Sequence, residues 1–411
     1  MLHTLKMFKF GVESHFFNIR SAMPVIRNLL PLLIVLAASL QSEAIRITFG
    51  PYLQQVGPTE AVVVWGTDTR GVSWAEIAPD DSLHFYAEER PKFYETHLGR
   101  KVIGTLHKVK IDRLTPGVTY RYRIFTQEVT EESSYQVSYG KVASTRVYKH
   151  EPLRFTTVDP SKRAIRFSVV NDIHADTTRM ARLLSGVGRN SHDFVLFNGD
   201  MVSHMDTEQQ IVDGFIGKAS DMFASEVPFY MIRGNHEGRG QFAANFPKYF
   251  PTATGMPYYS FRSGPVFFVV LDGGEDKPDS DIEYFGLNQM DRYREDEAEW
   301  LKTVVESDEF RSAPFRVAVV HVPPYGDSWH GNLHSQELFL PILNSANIDL
   351  MLCGHLHKHV WLPAGKTKAA FPILINSNMD RVDVAADVEK IDLKVVKLDG
   401  SVTKHLSFPR R

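Results

Sequence analysis

Five apolar, strand-like runs in this chain each end in residues that ligate metals or carry protons, and that repeated placement constrains the fold more than any other feature. Ala-Ile-Arg-Phe-Ser-Val-Val runs into Asn171-Asp172-Ile173-His174, and Asp-Phe-Val-Leu-Phe into Asn198-Gly199-Asp200. Pro-Phe-Tyr-Met-Ile precedes Gly234-Asn235-His236-Glu237 by one residue, Phe-Arg-Val-Ala-Val-Val runs into His321, and Ile-Asp-Leu-Met-Leu into Gly354-His355-Leu356-His357. In open α/β sheets, ligands bind just outside the carboxyl ends of the strands. One shared site lined by Asp172, His174, Asp200, Asn235, His321, His355 and His357 is therefore expected.

Each motif alone is weak, because a lone Gly-Asp is a common turn pair and a single buried His is usually a hydrogen-bonded core residue. Together they agree in residue type and in topological place. Carboxylate, amide and imidazole without thiolate suit zinc, iron or manganese better than calcium, which prefers oxygen alone. The set is too large for one ion. Two ions about 3.5–4 Å apart need a bridging anion, and Asp200, preceded by a glycine that lets the backbone come close, is the best bridge.

Composition narrows the alternatives. The 411 residues suggest about two domains, and 43% hydrophobic with 23% charged residues describes an ordinary globular chain. A net charge of −3 supplies no basic field for a phosphate backbone, so nucleic acid is not expected as a partner. Cys353 is the only cysteine, which excludes an intrachain disulfide and a thiolate metal cage.

The N-terminus reads as an export signal. Arg20 and Arg27 precede the apolar run Leu29 to Leu40, and Ser42-Glu43-Ala44 gives a small-x-small cleavage pattern. The run is shorter than the roughly 20 residues a membrane helix needs, so residues 1–44 are expected to be cleaved near Ala44 and the product secreted or periplasmic, not integral to a membrane. Residues 1–22 form a long lead-in, and Met23 is an alternative start.

Residues 45–159 read as all-β, with short alternating runs such as Ala61 to Trp65 and Tyr120 to Ile124 between turn residues. The stretch Leu114-Thr115-Pro116-Gly117-Val118-Thr119-Tyr120 resembles the tyrosine corner of fibronectin type III sandwiches, with Trp65 as a core residue. Thr157 to Arg163 reads as a linker. From residue 160 to 411, strands alternate with helical stretches at Thr177 to Val187, Thr207 to Phe223, Glu295 to Val305 and Ser335 to Asn344, which argues an α/β domain. Phe371 to Phe408 returns to β and suits an added antiparallel layer.

The order Asp-x-His, Gly-Asp, Gly-Asn-His-Glu, His, Gly-His-x-His, carried by Asp172, His174, Asp200, Asn235, His236, His321, His355 and His357, resembles the calcineurin-like metallophosphoesterases from residue 164 onward. That resemblance implies a layered β-sandwich flanked by helices. It implies Asp172, His174, Asp200 and His357 around one metal, and Asp200, Asn235, His321 and His355 around the other. It makes His236 the proton donor to the leaving group. Gly50-Pro51-Tyr52-Leu53-Gln54, Trp65-Gly66-Thr67 and Pro116 to Tyr120 look like the amino-terminal β domain of purple acid phosphatases. Two departures stand out. That group carries Asp-x-Gly where this chain has His174, and a tyrosine three residues after the Gly-Asp carboxylate, where this chain has Ser203. Without that phenolate no purple charge-transfer band is expected, and the metal pair stays open among zinc, iron and manganese.

The implied chemistry is hydrolysis of a small phosphorylated substrate, a phosphomonoester first, by hydroxide generated at the metals. A phosphodiesterase or nucleotidase would use the same residues. A non-catalytic surface-binding protein would be marked by lost ligands, and none is lost. His330 and His334, in a loop expected from Gly326 to Ser335, are candidate phosphate contacts at the rim, although loop histidines are more often solvated. His204 is open between site and surface. Gly274 to Tyr293 is a polar insertion that frames the entrance or stays a solvated acidic loop, and Glu237 is expected to support its own turn.

Overall fold

The computed structural model describes residues 44–145 and 151–411, and the expected export signal lies outside the described residues except for Ala44. Ile45–Arg411 form a single unit.

Beside a small two-stranded ribbon at Thr96–His97 and Arg100–Lys101, the N-terminal part is built on a seven-stranded antiparallel sheet organised by the long strand Ala61–Pro79. Its first half pairs with Ile47–Gln54 and Ile103–Ile111, and its second half with Lys92–Tyr94 and Thr119–Glu132. The pairing with Ile103–Ile111 is interrupted between Gly66 and Gly71. The two halves close on a core of Leu53, Val63, Trp65, Ile77, Val109, Tyr122, Ile124 and Phe155, with Trp65 fully buried as its residue type and alternation required. The Tyr120 hydroxyl accepts a 3.0 Å hydrogen bond from the Thr115 N–H, which fastens the Pro116-Gly117 turn to the strand that follows it.

The strand Leu153–Thr156 is the last of this sheet, and Ala164–Val170 opens the next. One six-stranded sheet runs in the order 229–232, 194–198, 164–170, 380–387, 390–397, 402–409; a second runs 259–263, 266–270, 315–319, 350–353, 373–375, 360–362. The alternation in each central strand explains the layering. Ile165, Phe167, Val169, Phe194 and Leu196 face Val266, Phe268, Val317 and Val319 in the space between the two sheets. The intervening Val170, Val195 and Phe197 face outward against Met180, Leu183, Phe215 and Phe223. On the far side Phe267, Val269, Ala318 and Val320 pack under Leu301, Val304, Phe339 and Leu343. Strands buried on both faces read as nearly continuous apolar runs, which is what the sequence carries.

The longer helical segments are Thr177–Leu183, Glu208–Ala224 interrupted by π turns at Val212–Ile216 and Ser220–Ala224, Met290–Glu306 and His330–Ser345, with short helices at Phe246–Tyr249 and Asp308–Ser312. Three expectations change. The C-terminal strands are not a separate layer: Asp380–Asp387 pairs antiparallel with Ala164–Val170 and extends the first sheet in its own plane. The N-terminal sheet does not stand apart either, because Phe49, Tyr52, Val62 and Val64 share a core with Phe197, Phe215 and Phe229. The loop expected over Gly326 to Ser335 is helical from His330 onward. Asn332 and Gln336 on that helix donate to the carbonyls of Pro323 and Gly326 and tie down the shorter loop before it.

Polar bonds reinforce the shared core. The Tyr52 hydroxyl donates to Tyr249 O at 2.8 Å, Gln54 Nε2 to Phe229 O at 2.9 Å, and the Tyr122 hydroxyl to Ser225 O at 2.6 Å. The N-terminal sheet thus braces the strand Phe229–Ile232, which leads directly to Asn235 and His236.

Candidate metal centre

The strands 164–170, 194–198 and 229–232 are parallel neighbours, as are 315–319 and 350–353, so their carboxyl ends emerge on one edge of the sandwich. The chain turns sharply there. Asp172, His174, Asp200, His355 and His357 all have positive φ, between 49° and 71°. For residues with a β-carbon this conformation is uncommon and costs about 1–3 kcal/mol each, and such residues concentrate at functional sites. Backbone bonds hold the turns together: Asp172 N–H donates to Gly199 O at 2.9 Å, His174 N–H to Asp200 O at 3.0 Å, and Gly354 N–H to His321 O at 3.0 Å. Gly199 and Gly234 are required by proximity. A β-carbon on Gly199 would collide with the His321 ring, and one on Gly234 with Asp200.

The side chains form overlapping clusters: Asp172, His174 and His357; His174, Asp200 and His236; and Asp200, His321 and His355, with the ligand atoms of each lying within 4.8 Å of one another. Asp172, Asp200, Asn235 and His321 are buried and make the floor, while His174, His236 and His357 are half-buried or exposed around the mouth. Asn235 joins through its amide oxygen, 3.1 Å from His355 Nδ1.

Asp172 and His321 each have one end anchored and the other without a hydrogen-bond partner. Asp172 Oδ2 accepts from Asn171 Nδ2 at 2.6 Å and from the His355 N–H at 2.9 Å. Its Oδ1 is buried without a hydrogen-bond partner and lies 3.1 Å from His357 Nε2. His321 Nδ1 donates to Asn198 O at 2.6 Å, which fixes the ring and turns Nε2 toward the carboxylates. That nitrogen sits 2.9 Å from Asp200 Oδ2, yet their directions make no hydrogen bond. A separation of about 3 Å is what two ligands at roughly right angles on one ion show when each bond is about 2.0–2.2 Å. At the mouth, His174 Nε2 and His357 Nε2 face each other at 3.1 Å. Unpartnered buried ligand atoms, paired imidazole nitrogens and an all-N/O set fit first-row cations, with Asp200 common to the cluster of His174 and His236 and the cluster of His321 and His355.

The electrostatics agree. Burial disfavours the imidazolium of His321, but Asp200 and Asp172 outweigh it and push its pKa up to about 10. Burial would raise Asp200, but His321 and His236 hold it well below the ordinary carboxylate range. His355 is driven down to about 4 by burial and by His321. The buried carboxylates favour positive charge beside them, and the hydrogen bond to Asp172 raises the pKa of His357 as well.

The structure brings His236 to the centre as well. Its Nδ1–H donates to Ser203 O at 2.8 Å, leaving Nε2 turned inward, 3.9 Å from Asp200 Oδ2. His204 lies behind it, ring centroids 6.2 Å apart. Ser203 Oγ is 3.3 Å from His174 Nδ1, so the serine meets the very imidazole at which this chain departs from Asp-x-Gly. His330 and His334 form a separate cluster with Asp291.

Some roles go beyond what the sequence suggested. Glu237 is buried and accepts from the backbone N–H groups of Asp200, Met201, Val202 and Gly234 at 2.7–3.2 Å, binding two strand ends together rather than supporting only its own turn. Arg179 Nη2 donates to the carbonyls of Asp172 and Ile173 at 3.1 and 2.6 Å, a contact no local pattern signals. The Gly274 to Tyr293 insertion is not merely a solvated acidic loop: Glu275 and Asp276 are buried, Arg239 Nη2 reaches Glu275 at 2.9 Å, and Asp276 Oδ2 lies 3.8 Å from His355 Nε2.

Comparison with known proteins agrees with this geometry. The family model for calcineurin-like phosphoesterases matches residues 165–359. Purple acid phosphatase 22 of Arabidopsis thaliana is 26% identical over 271 residues, covering 62% of this chain and 53% of that protein. The probable purple acid phosphatase 20 of the same plant is 24% identical over 273 residues, covering 62% and 55%. The match therefore spans about half the length of these relatives. A conserved uncharacterized protein of Streptococcus pneumoniae TIGR4 aligns over 60% of this chain and 98% of its own, at 12% identity and a TM-score of 0.29, too low to bear on function.

Proposed function

We propose that this protein, whose residues 165–359 match the calcineurin-like phosphoesterase model and which is similar to purple acid phosphatases, is an exported dimetal phosphatase that hydrolyses phosphomonoesters. The observation that carries the reading is Asp200, shared between a cluster with His174 and His236 and a cluster with His321 and His355. With two cations bound, the centre supplies Lewis-acid chemistry, acidifying water and offsetting phosphoryl charge. The chain's own part is positional. The anchored ends of Asp172 and His321 keep their free atoms converging before substrate arrives, so little reorganisation is required in the transition state.

His236 is the proton donor in this reading. Because Ser203 O can only accept, Nδ1 is the donor in that bond, and a proton for transfer would be carried on the inward Nε2. Delivering it to the departing alkoxide or phenolate oxygen neutralises the charge that develops there. We read the N-terminal sheet as fibronectin type III-like, with a boundary near residue 159, and the Leu29 to Leu40 run as the basis for export. Among the described residues no helix is long and apolar enough to cross a membrane.

The discriminating experiment is hydrolysis of p-nitrophenyl phosphate beside bis-p-nitrophenyl phosphate, using protein reconstituted with zinc, manganese or iron. Faster monoester turnover supports the proposal. Preference for the diester makes the protein a phosphodiesterase, and turnover of neither with metals bound overturns the hydrolytic reading.

A further inference from the structure

We propose that Asp291, His330 and His334 form a third metal site, apart from the strand-end centre, which takes a zinc-class cation and pins two helices together. His330 and His334 are four residues apart at the start of the helix His330–Ser345, so both rings project from one face. Asp291 lies in the first turn of Met290–Glu306, where Asp279 fixes the turn by accepting from Met290 N–H at 2.7 Å and Asp291 N–H at 3.2 Å. The ligand atoms of the three lie within 4.8 Å of one another.

The distances sit close to those of a coordination shell. His330 Nε2 is 2.8 and 3.0 Å from the two Asp291 oxygens, and His334 Nδ1 is 3.2 Å from Oδ1. Tetrahedral ligands on bonds of about 2.0–2.1 Å stand about 3.3 Å apart, so only a few tenths of an ångström of expansion admits an ion. His334 Nδ1 supplies the independent sign. It is buried and makes no hydrogen bond, although a carboxylate oxygen lies beside it. Two imidazoles and a carboxylate are a zinc-type donor set, and half-exposed His330 leaves room for water as a fourth ligand.

Arg294 Nη1 also reaches Asp291 Oδ1, at 2.9 Å. The carboxylate then bridges a fixed guanidinium and the cation, and the alternative is a plain cluster of His–Asp and Arg–Asp ion pairs. The site bears on the catalytic rim. Gly331 N–H donates to Asp276 O at 2.8 Å, and Asp276 stands beside His355, so fixing this helix end fixes the loop over the centre.

The test is zinc titration of the chelator-stripped full chain, with bound zinc counted by native mass spectrometry and affinity read by competition with a chromophoric chelator. Wild type should bind three ions, and Asp291→Asn and His334→Gln one fewer, with affinity for the lost ion down at least about tenfold. Should Asp291→Asn fold poorly by circular dichroism, His334→Gln decides. Wild-type stoichiometry in the folded variants overturns the site. A wild type with a single zinc that disappears in these variants would keep this site and instead remove the dimetal reading.

Discussion

Glu237 holds Asp200 in place from behind: its Oε2 accepts the Asp200 N–H at 2.9 Å while Asp200 sits at φ +54°. The same carboxylate binds the N–H groups of Met201, Val202 and Gly234, so one buried side chain sets the approach of two strand ends. Burial and the nearby Asp200 push its pKa up to about 7. Substituting Glu237→Gln removes the charge and turns an amide NH2 toward N–H donors that need an acceptor. The expected result is a loss of about 2–3 kcal/mol of stability and a 10–100-fold fall in metal affinity. Denaturant unfolding and metal titration check it, and an unchanged affinity would detach Glu237 from the centre.

His236→Gln separates proton donation from metal binding. The variant should keep its metals and lose about 10²-fold or more in turnover for alkyl phosphates, with a smaller loss for p-nitrophenyl phosphate, whose leaving group needs little help. Metal analysis beside a leaving-group series is the measurement. Loss of metal in this variant would make His236 a ligand, as its nearness to His174 and Asp200 also permits.

The absence of a phenolate predicts a spectrum. Ser203 stands where purple acid phosphatases carry tyrosine, and its neighbour is the His174 ring at 3.3 Å. Iron-loaded protein should lack the visible tyrosinate-to-ferric charge-transfer band. A purple product would mean that another tyrosine reaches the metal.

His107 gives the N-terminal sheet a pH response. It is buried against Trp65, its Nε2 is 2.8 Å from Thr67 Oγ1, and burial lowers its pKa from 6.5 to about 4. As pH falls, the unfolded chain takes up the proton first. The stabilisation is therefore fully present above 6.5 and is lost progressively toward 4, by about 3 kcal/mol. His107→Gln, which keeps a hydrogen-bonding group for Thr67, should flatten stability over that window. Parallel denaturant titrations of the two proteins would show it, and equal slopes would refute it.

The site was legible because its ligands sit where strands buried on both faces stop, and an apolar run ending in Asp or His is visible in one dimension. Asp172, Asp200 and His321 needed only that pattern. What the pattern missed is three-dimensional. Asp276 reaches His355 from an insertion whose composition suggested solvent, and it is buried because Arg239 draws the neighbouring Glu275 inward. The helix that opens at His330 begins five residues before the stretch expected from Ser335, and its Asn332 and Gln336 side chains bind the carbonyls of Pro323 and Gly326 in the preceding loop. The boundary near residue 159 marks a change of sheet, but Tyr52 stacked 5.5 Å from Phe229 belongs to a core that alternation within either segment could not reveal.

Metal content and monoesterase activity, measured together in wild type and Asp200→Asn, test the central claim most directly. Asp200 touches both clusters, so the substitution should remove metal and activity in step, with the residual rate down at least about 10³-fold. A variant that keeps two tightly bound ions and a comparable rate would contradict a bridging carboxylate and the dimetal centre built around it.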